Sequence, residues 1–286
     1  MFDAVIIGAG PAGISAALYA KRANKSVLVL YHGESQLEKA HAIDNYYGTG
    51  SISGAELYNN GIEQARALGV EVNNEEVLHI SMQADFSYEI KTAEASYQGK
   101  ALILATGNKK VRPNIKGVTD FEGKGISYCA ICDGFFYRNK TVAVLGSGDY
   151  ALSEAGDLEN IAGKLYILTD GAPAPQTDKY EIITKKIKEI QGEERLGSVL
   201  FEDGTSLELN GLFIALGVAG GADFAKKLGI ALEGDSIKVN PDMSTNAPGV
   251  FACGNITGGL LQVCKAVYEG AEAGIAAVNY LKSKND

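Results

Sequence analysis

The chain has 286 residues, of which 46% are hydrophobic and 21% charged, so it is long enough for two modest globular domains. Its formal net charge of -9 disfavours binding to nucleic acid. The N-terminus lacks the charged lead and the cleavage site of a signal peptide, and no apolar run approaches the ~20 residues of a membrane helix. We therefore expect a cytoplasmic protein with neither nucleic-acid nor membrane partners.

The first third of the chain has the order strand, glycine turn, helix, strand. The elements predicted in it are strands at 4–7 and 26–30 around an alanine-rich helix at 11–23, a helix at 53–68, short antiparallel strands within 70–90, and a buried strand at 101–105 that ends in Thr106-Gly107. This order indicates a parallel α/β sheet that binds a nucleotide at its first turn.

The same order then restarts. The elements predicted in this part are a strand at 141–145, a helix at 150–161, a strand at 164–168, a helix with a basic face at 178–190, a hairpin of 198–201 with 205–209, an apolar strand at 212–217, a strand at 250–255 and a long helix at 261–281. The chain therefore contains a duplicated module. The predicted fold class is α/β, with two Rossmann-like, doubly wound, three-layer nucleotide-binding domains.

The first glycine turn carries the dinucleotide fingerprint between a strand and a helix. Gly8 permits the tight turn, Gly10 lets the backbone approach a pyrophosphate, and Gly13 allows close packing of helix on strand. The N–H groups at the helix N-terminus then attract the phosphates. The acid that binds a ribose hydroxyl is expected after the second strand, where Glu34 is the first candidate and His32 a weaker one.

A Cys-x-x-Cys pair, Cys129 and Cys132, lies between the two glycine turns and precedes Asp133. Because no second Cys or His pair accompanies it, this spacing indicates a redox dithiol rather than a metal site. Thiol–disulfide exchange needs a thiolate and a proton for the leaving sulfur, and Asp133 is placed to handle that proton. Cys253 and Cys264 make a poor zinc site, and both are expected to be buried packing residues.

Several motifs together resemble the low-molecular-weight thioredoxin reductases. The most specific is Cys-Ala-Ile-Cys-Asp-Gly-Phe-Phe-Tyr-Arg-Asn-Lys at 129–140, followed by a strand and a Gly-x-Gly-x-x-Ala turn. The other matching segments are 8–13, 43–48, 52–54, 105–107, 252–255 and 262–263. The resemblance covers nearly the whole chain.

This resemblance implies a homodimeric flavoenzyme with one domain inserted into the other. Residues 1–113 and 240–286 would form a discontinuous FAD-binding domain. Residues 114–239 would form the inserted, NADPH-domain-like module with the Cys pair. Electrons would pass from FAD through the dithiol to the disulfide of thioredoxin.

The resemblance also implies the roles of individual residues. Cys132 would lie nearest the flavin, Cys129 would attack the disulfide of the partner, and Asp133 would donate the proton. The residues expected to bind FAD are Gly8, Gly10, Pro11, Ala12, Gly13, Glu34, Gln36, Leu37, Asn45, Thr106, Gly107, Gly254, Asn255, Gln262 and Val263. Asn255 stands where the family usually has Asp, and its amide can still hydrogen-bond a ribityl hydroxyl.

The inserted module differs from the family's sequence pattern in the segment that would bind NADPH. The family usually follows its second strand with a run of arginines that pair the extra phosphate, but the strand here is followed by Asp170 and no arginine until Arg195. Each lost charge-assisted contact removes roughly 1.5–3 kcal/mol, and Asp170 would repel the phosphate.

A preserved dithiol beside a degraded pyridine-nucleotide site resembles the ferredoxin-dependent flavin thioredoxin reductases. In those enzymes a reduced iron–sulfur protein supplies single electrons to FAD. Reduced ferredoxin is therefore the expected donor. Lys109, Lys110 and Arg112 are the candidate docking residues.

Four alternatives remain open at this point. Asp170 could bind the ribose of NADH, or another nucleotide could occupy the second turn in a diflavin variant. The second turn could also be kept for packing alone. Finally, the chain could be a flavin-binding sensor without turnover, although the Cys-x-x-Cys-Asp motif argues against that reading.

Overall fold

The structure, a computed structural model, describes residues 1–107, 113–217, 220–234 and 236–284. The chain forms two compact units, an outer unit of residues 1–109 and 220–286 and an inserted unit of residues 110–219. Each unit has its own parallel sheet and its own buried core. The predicted α/β class with two Rossmann-like halves is therefore confirmed. Lys109, Lys110 and Arg112 lie outside the described residues.

The outer unit begins with the predicted strand–turn–helix order. Its first elements are β1 (Phe2–Ile7), α1 (Pro11–Arg22), β2 (Val27–Tyr31), α2 (Gly54–Ala67), β3 (Glu71–Asn74), β4 (Val77–Met82), β5 (Tyr88–Thr92) and β6 (Ser96–Leu104). The strands lie in the order β3-β2-β1-β6-β5-β4. β3, β2, β1 and β6 are parallel, whereas β5 and β4 continue the sheet in antiparallel fashion. The parallel centre is buried, which explains its continuous apolar runs.

The inserted unit repeats this order on a smaller scale. Its elements are α3 (Val118–Phe121), β7 (Ile126–Ser127), α4 (Ala130–Asp133), β8 (Thr141–Leu145), α5 (Asp149–Leu158), β9 (Lys164–Leu168), β10 (Glu181–Ile183), β11 (Ile187–Gly192), β12 (Leu196–Phe201), β13 (Ser206–Glu208) and β14 (Gly211–Ile214). The parallel sheet has the order β10-β9-β8-β14-β7, and β11, β12 and β13 form an antiparallel sheet. The predicted hairpin is β12 with β13.

The chain then returns to the outer unit. The returning elements are α6 (Gly221–Lys227), β15 (Leu232–Glu233), β16 (Ser236–Ile237), β17 (Val250–Ala252) and α7 (Val263–Ser283). β17 adds a parallel strand beside β6, and α7 packs along α1. Within the described ranges, none of the helices has both the length and the apolar character that crossing a membrane requires.

The helix predicted at 178–190 is wrong, because this segment forms strands β10 and β11. Ile187 and Ile190 are buried at a helix-like spacing of three. The register of β11 against β12 shifts between Ile187 and Glu189, as at a β-bulge. An irregularity of this kind breaks the period of two, so a strand imitates the spacing of a helix.

The second boundary of the inserted module also differs from the prediction. The inserted unit ends at residue 219 rather than 239, because residues 220–239 belong to the outer unit. The backbone N–H of Gly221 donates to Thr106 Oγ1 at 2.9 Å, and α6 packs against β4. These contacts join α6 to the outer sheet, although its sequence continues directly from the inserted unit.

Small residues let α1 and α7 approach closely. A Cβ atom built on Gly274 would lie 2.6 Å from the backbone oxygen of Ala16, whereas one built on Gly61 of α2 would meet nothing closer than 3.5 Å. We predict that Gly274→Ala lowers the free energy of unfolding by about 1–3 kcal/mol through overpacking. Gly61→Ala, the matched control, should be neutral or stabilising by about 0.5–1 kcal/mol, because alanine is the better helix former.

The two variants are compared by urea denaturation followed by far-ultraviolet circular dichroism. Equal denaturation midpoints for Gly274→Ala and Gly61→Ala would contradict the close packing of α1 on α7.

Candidate active site

The first glycine turn has the shape of a phosphate cradle. Gly8 has a φ of +114°, and a Cβ atom built there would lie 2.3 Å from the backbone oxygen of Ala105. A Cβ atom on Gly10 would meet no atom within 4 Å, so this glycine borders open space at the start of α1. The first turn of α1 contains no acidic residue. The N–H groups at the start of α1 have no acidic side chain in the same turn and border open space. Such a position fits the pyrophosphate of a dinucleotide.

Residues from distant segments meet this turn in the outer unit. A Cβ atom on Gly254 would lie 2.8 Å from Cβ of Ala12, and Thr106 and Gly107 follow the carboxyl end of β6, next to Gly8. Ligands of open α/β sheets bind at the carboxyl ends of the strands. The structure therefore brings these residues, all expected to bind FAD, to one edge of the sheet.

The remaining predicted FAD residues lie in two further segments. Asn45 Nδ2 donates to Gln262 Oε1 at 3.0 Å, so these two are brought together across 217 positions of sequence. Val263 begins α7, and Asn255 lies in the 3-10 turn Gly254–Thr257. Glu34 and Gln36 are exposed in the loop after β2, and Leu37 opens the 3-10 turn Leu37–Lys39.

A largely buried ion pair holds the Gly254–Thr257 turn. Lys265 Nζ lies 2.9 Å from Glu269 Oε2 and donates to the backbone oxygens of Gly254 and Gly258 at 2.9 and 2.6 Å. Glu269 in turn accepts the Gly254 N–H at 2.8 Å and the Thr257 hydroxyl at 2.9 Å. This pair was not predicted from the sequence. Its only signal was the i,i+4 spacing of Lys and Glu on α7, which is common on exposed helices.

In the inserted unit, Cys129 and Cys132 form a disulfide across the four-residue helix α4. The Cys132 N–H donates to Sγ of Cys129 at 3.2 Å, so Cys129 caps this helix. Cys129 is 2% exposed, whereas Cys132 is exposed. The role expected for Cys129, attack on a protein disulfide, would therefore require a rearrangement that uncovers its sulfur.

Asp133 is tied to the same turn. Its Oδ2 atom accepts the Ser127 hydroxyl at 2.6 Å, and its N–H donates to the backbone oxygen of Cys129 at 3.2 Å. Ser127 Oγ also accepts the Cys129 N–H at 3.1 Å. The structure thus places the predicted proton donor one hydroxyl away from the backbone of Cys129, through a serine that the sequence analysis did not single out.

The two other cysteines differ in exposure. Cys253 is buried as expected, and burial raises the pKa of its thiol, with the nearby Glu269 carboxylate adding to the effect. Cys264 is exposed, so its predicted burial is wrong. It occupies the second position of α7, beyond the residues that pack against α1, where the apolar pattern of the helix has only begun.

A dinucleotide cradle combined with a Cys-x-x-Cys disulfide is typical of disulfide oxidoreductases that work with a bound nucleotide cofactor. The family model described as pyridine nucleotide-disulphide oxidoreductase matches residues 2–270. Thioredoxin reductase from Aquifex aeolicus is 33% identical, over 99% of this chain and 94% of that protein.

Two solved structures extend this similarity. The atypical thioredoxin reductase TRi from Desulfovibrio vulgaris Hildenborough is 40% identical with a TM-score of 0.92, covering 99% of each chain. A ferredoxin-flavin thioredoxin reductase from Clostridium acetobutylicum is 33% identical with a TM-score of 0.73, covering 99% of this chain and 98% of that one. The chain belongs to the pyridine nucleotide-disulphide oxidoreductase family and, within it, to the thioredoxin reductases. Its predicted cofactor, FAD, is confirmed by this membership.

The exposure of the cysteines predicts a labelling pattern. In the oxidised protein, iodoacetamide should modify one cysteine, Cys264, because Cys253 is buried with a raised pKa and the other two are joined. Peptide mass spectrometry of the labelled protein checks this. Cys264→Ser is the control and should take up no label. Rapid modification of Cys253 in the folded protein would contradict the described packing.

The buried pair predicts a dependence of FAD binding on Lys265. Lys265→Met leaves the Glu269 carboxylate without its cation and removes one donor each from the backbone oxygens of Gly254 and Gly258, a loss of about 3–5 kcal/mol. We expect purified Lys265→Met to contain less FAD per chain and to melt at a lower temperature.

Lys282→Met is the matched control, since Lys282 is exposed in the last turn of the same helix. Its FAD content, read from the flavin absorbance, should equal that of the unchanged protein. Full FAD occupancy and an unchanged melting temperature in Lys265→Met would show that the pair does not support the turn.

Proposed function

We propose that this chain is a flavin-dependent disulfide reductase that reduces thioredoxin with electrons from reduced ferredoxin. Bound FAD suits this task because it accepts electrons singly and delivers them in pairs to a disulfide. The observation that carries the choice of donor is the set of hydrogen bonds made by Asp170 in the inserted unit.

Asp170 lies at the carboxyl end of β9, where an acid of a dinucleotide fold binds the adenosine ribose. Its Oδ1 atom accepts the Ile187 N–H at 2.8 Å, and its Oδ2 atom accepts from Lys186 Nζ at 2.8 Å. Both carboxylate oxygens are thus used within the unit. A ribose would have to compete with these bonds, which disfavours NADH as well as NADPH.

The basic residues around this strand do not replace the missing arginines. Lys179, Lys185 and Lys186 each pair with a carboxylate of the same unit, at 2.6, 2.7 and 2.8 Å. Exposed pairs of this kind contribute little stability, but they lower the positive charge that a 2′-phosphate would meet. The connection 169–180 also contains no helix, so the second nucleotide half lacks the crossover helix expected between its parallel strands.

The similarity to the Clostridium acetobutylicum protein supports the same donor, because that relative is named a ferredoxin-flavin thioredoxin reductase. The alternative of an NADH-dependent or diflavin enzyme is not favoured by the contacts of Asp170. A sensor without turnover is not favoured either, because the chain carries the Cys129–Cys132 disulfide with Asp133 tied to the same turn through Ser127.

In the proposed reaction the two thiols of Cys129 and Cys132 become a disulfide. The disulfide of thioredoxin gains the two electrons and two protons. Cys129 attacks the substrate, Cys132 exchanges electrons with the flavin, and Asp133 transfers the proton. The proposal includes a cytoplasmic homodimer, in keeping with the likeness to thioredoxin reductases.

The donor is tested by anaerobic mixing of the purified FAD-loaded protein with NADH, NADPH or reduced ferredoxin while the flavin absorbance is followed. We expect ferredoxin to bleach the flavin and both pyridine nucleotides to leave it unchanged. Bleaching by stoichiometric NADPH within milliseconds would overturn the choice of donor.

The exchange site is tested with Cys129→Ser. This variant should retain FAD and still be bleached by ferredoxin, but it should no longer reduce thioredoxin, because the attacking sulfur is gone. Continued turnover of thioredoxin by Cys129→Ser would contradict the assigned role.

A further inference from the structure

Helix α5 carries the turn that contains the redox disulfide. Glu154 Oε2 accepts the Ala130 N–H at 2.8 Å, at the start of α4. One helical turn further on, a Cβ atom built on Gly134 would lie 3.0 Å from Leu158 Cδ2. Glu154 and Leu158 thus contact the two ends of the same short turn. The disulfide is therefore held against one face of α5.

The Glu154 carboxylate is buried to an unusual degree, with 1% of the residue exposed. A carboxylate in such a place is costly unless hydrogen bonds compensate it. The Ala130 N–H is one of the donors that a helix N-terminus leaves unsatisfied, and such donors favour negative charge. The buried charge and the start of α4 thus stabilise each other.

The same contact places a negative charge beside Cys129. The hydrogen-bonded N–H belongs to the peptide that joins Cys129 to Ala130, and the preceding Cys129 N–H is held by Ser127. The N–H that Glu154 occupies would otherwise help to stabilise a thiolate at Cys129. A nearby like charge further disfavours that thiolate.

We propose that Glu154 is a positioning residue for the dithiol, which holds Cys129 against α5 and, through its charge, sets the balance between the oxidised and reduced Cys129–Cys132 couple. The inference rests on the proposed function as a disulfide reductase. It concerns the couple itself, so it is independent of which donor or which protein substrate is used. Reduction of the disulfide takes up two electrons and two protons, and a thiolate formed at Cys129 adjoins the peptide that Glu154 hydrogen-bonds.

The proposal is tested by equilibrating the FAD-loaded protein with mixtures of reduced and oxidised dithiothreitol. The reduced fraction is counted by alkylation of Cys129 and Cys132. A pH of about 8.5, close to the ordinary pKa of a thiol, lets the thiolate contribute to the reduced state. Neither thioredoxin nor ferredoxin takes part, so a failure here is distinguishable from a failure of the proposed function.

Glu154→Gln keeps the length and the acceptor oxygen but removes the charge. We expect it to shift the equilibrium about fivefold toward the dithiol, with FAD content unchanged. Glu159→Gln is the matched control. It removes an exposed carboxylate from the end of the same helix, where Glu159 pairs with Lys179 on the surface, and it should leave the equilibrium unchanged.

Glu154→Asp separates charge from geometry. It keeps the charge but shortens the side chain, so the proposal predicts an equilibrium closer to that of the unchanged protein than Glu154→Gln gives. A purely structural role predicts the opposite order, because glutamine preserves the hydrogen bond and aspartate does not.

An unchanged equilibrium in folded Glu154→Gln overturns the proposal. If Glu154→Gln does not fold, the equilibrium measured for Glu154→Asp tests the proposal instead. An equilibrium like that of the unchanged protein supports the proposal, and a shifted equilibrium, or a second loss of the fold, overturns it.

Discussion

The hydrogen bonds of the Asp170 carboxylate are the interaction on which the proposed choice of electron donor depends. It stands at the end of β9 and accepts one hydrogen bond from the backbone of Ile187 and one from the side chain of Lys186. The first residue of β11 and the lysine before it thereby supply the donors that a ribose would supply in a nucleotide complex. In the proposed function, this engagement of both oxygens leaves the inserted unit with the outline of a dinucleotide fold but without its anchor for the adenosine. The proposed donor, a one-electron carrier, follows from that loss.

A separate packing constraint explains why the second glycine turn persists. A Cβ atom on Gly146 would lie 2.2 Å from the backbone oxygen of Ala215, so this glycine is required for packing whether or not a nucleotide binds. The turn also starts α5, the helix that meets the redox turn through Glu154 and Leu158. A module that no longer binds a pyridine nucleotide would still need this strand, turn and helix to hold the disulfide.

Local patterns predicted much of this molecule. The glycine turns, the buried parallel strands and the Cys-x-x-Cys motif each depend on neighbours in sequence, so their signals are readable in short windows. The helix over 178–190 was mispredicted because the irregular register at Ile187 produced a helical spacing. The boundary at residue 220 was missed because the bond from Gly221 to Thr106 joins residues 115 positions apart.

The less predictable part of the site consists of long-range polar contacts. Glu154 bonds a peptide 24 residues away, and Asp170 bonds one 17 residues away. No residue close to Glu154 or Asp170 in sequence indicates which group will bond to it. A glutamate in a helix is also more often exposed than buried. Such contacts are visible only once the sheet brings its segments together.

The most direct test of the central claim is calorimetric titration of the oxidised, FAD-loaded protein with NADPH and with NADH, since binding is measured apart from electron transfer. The account predicts no saturable binding of either nucleotide up to about 1 mM, because Asp170 is engaged and no arginine replaces the missing phosphate contacts. Saturable binding of either nucleotide with a micromolar Kd would contradict it.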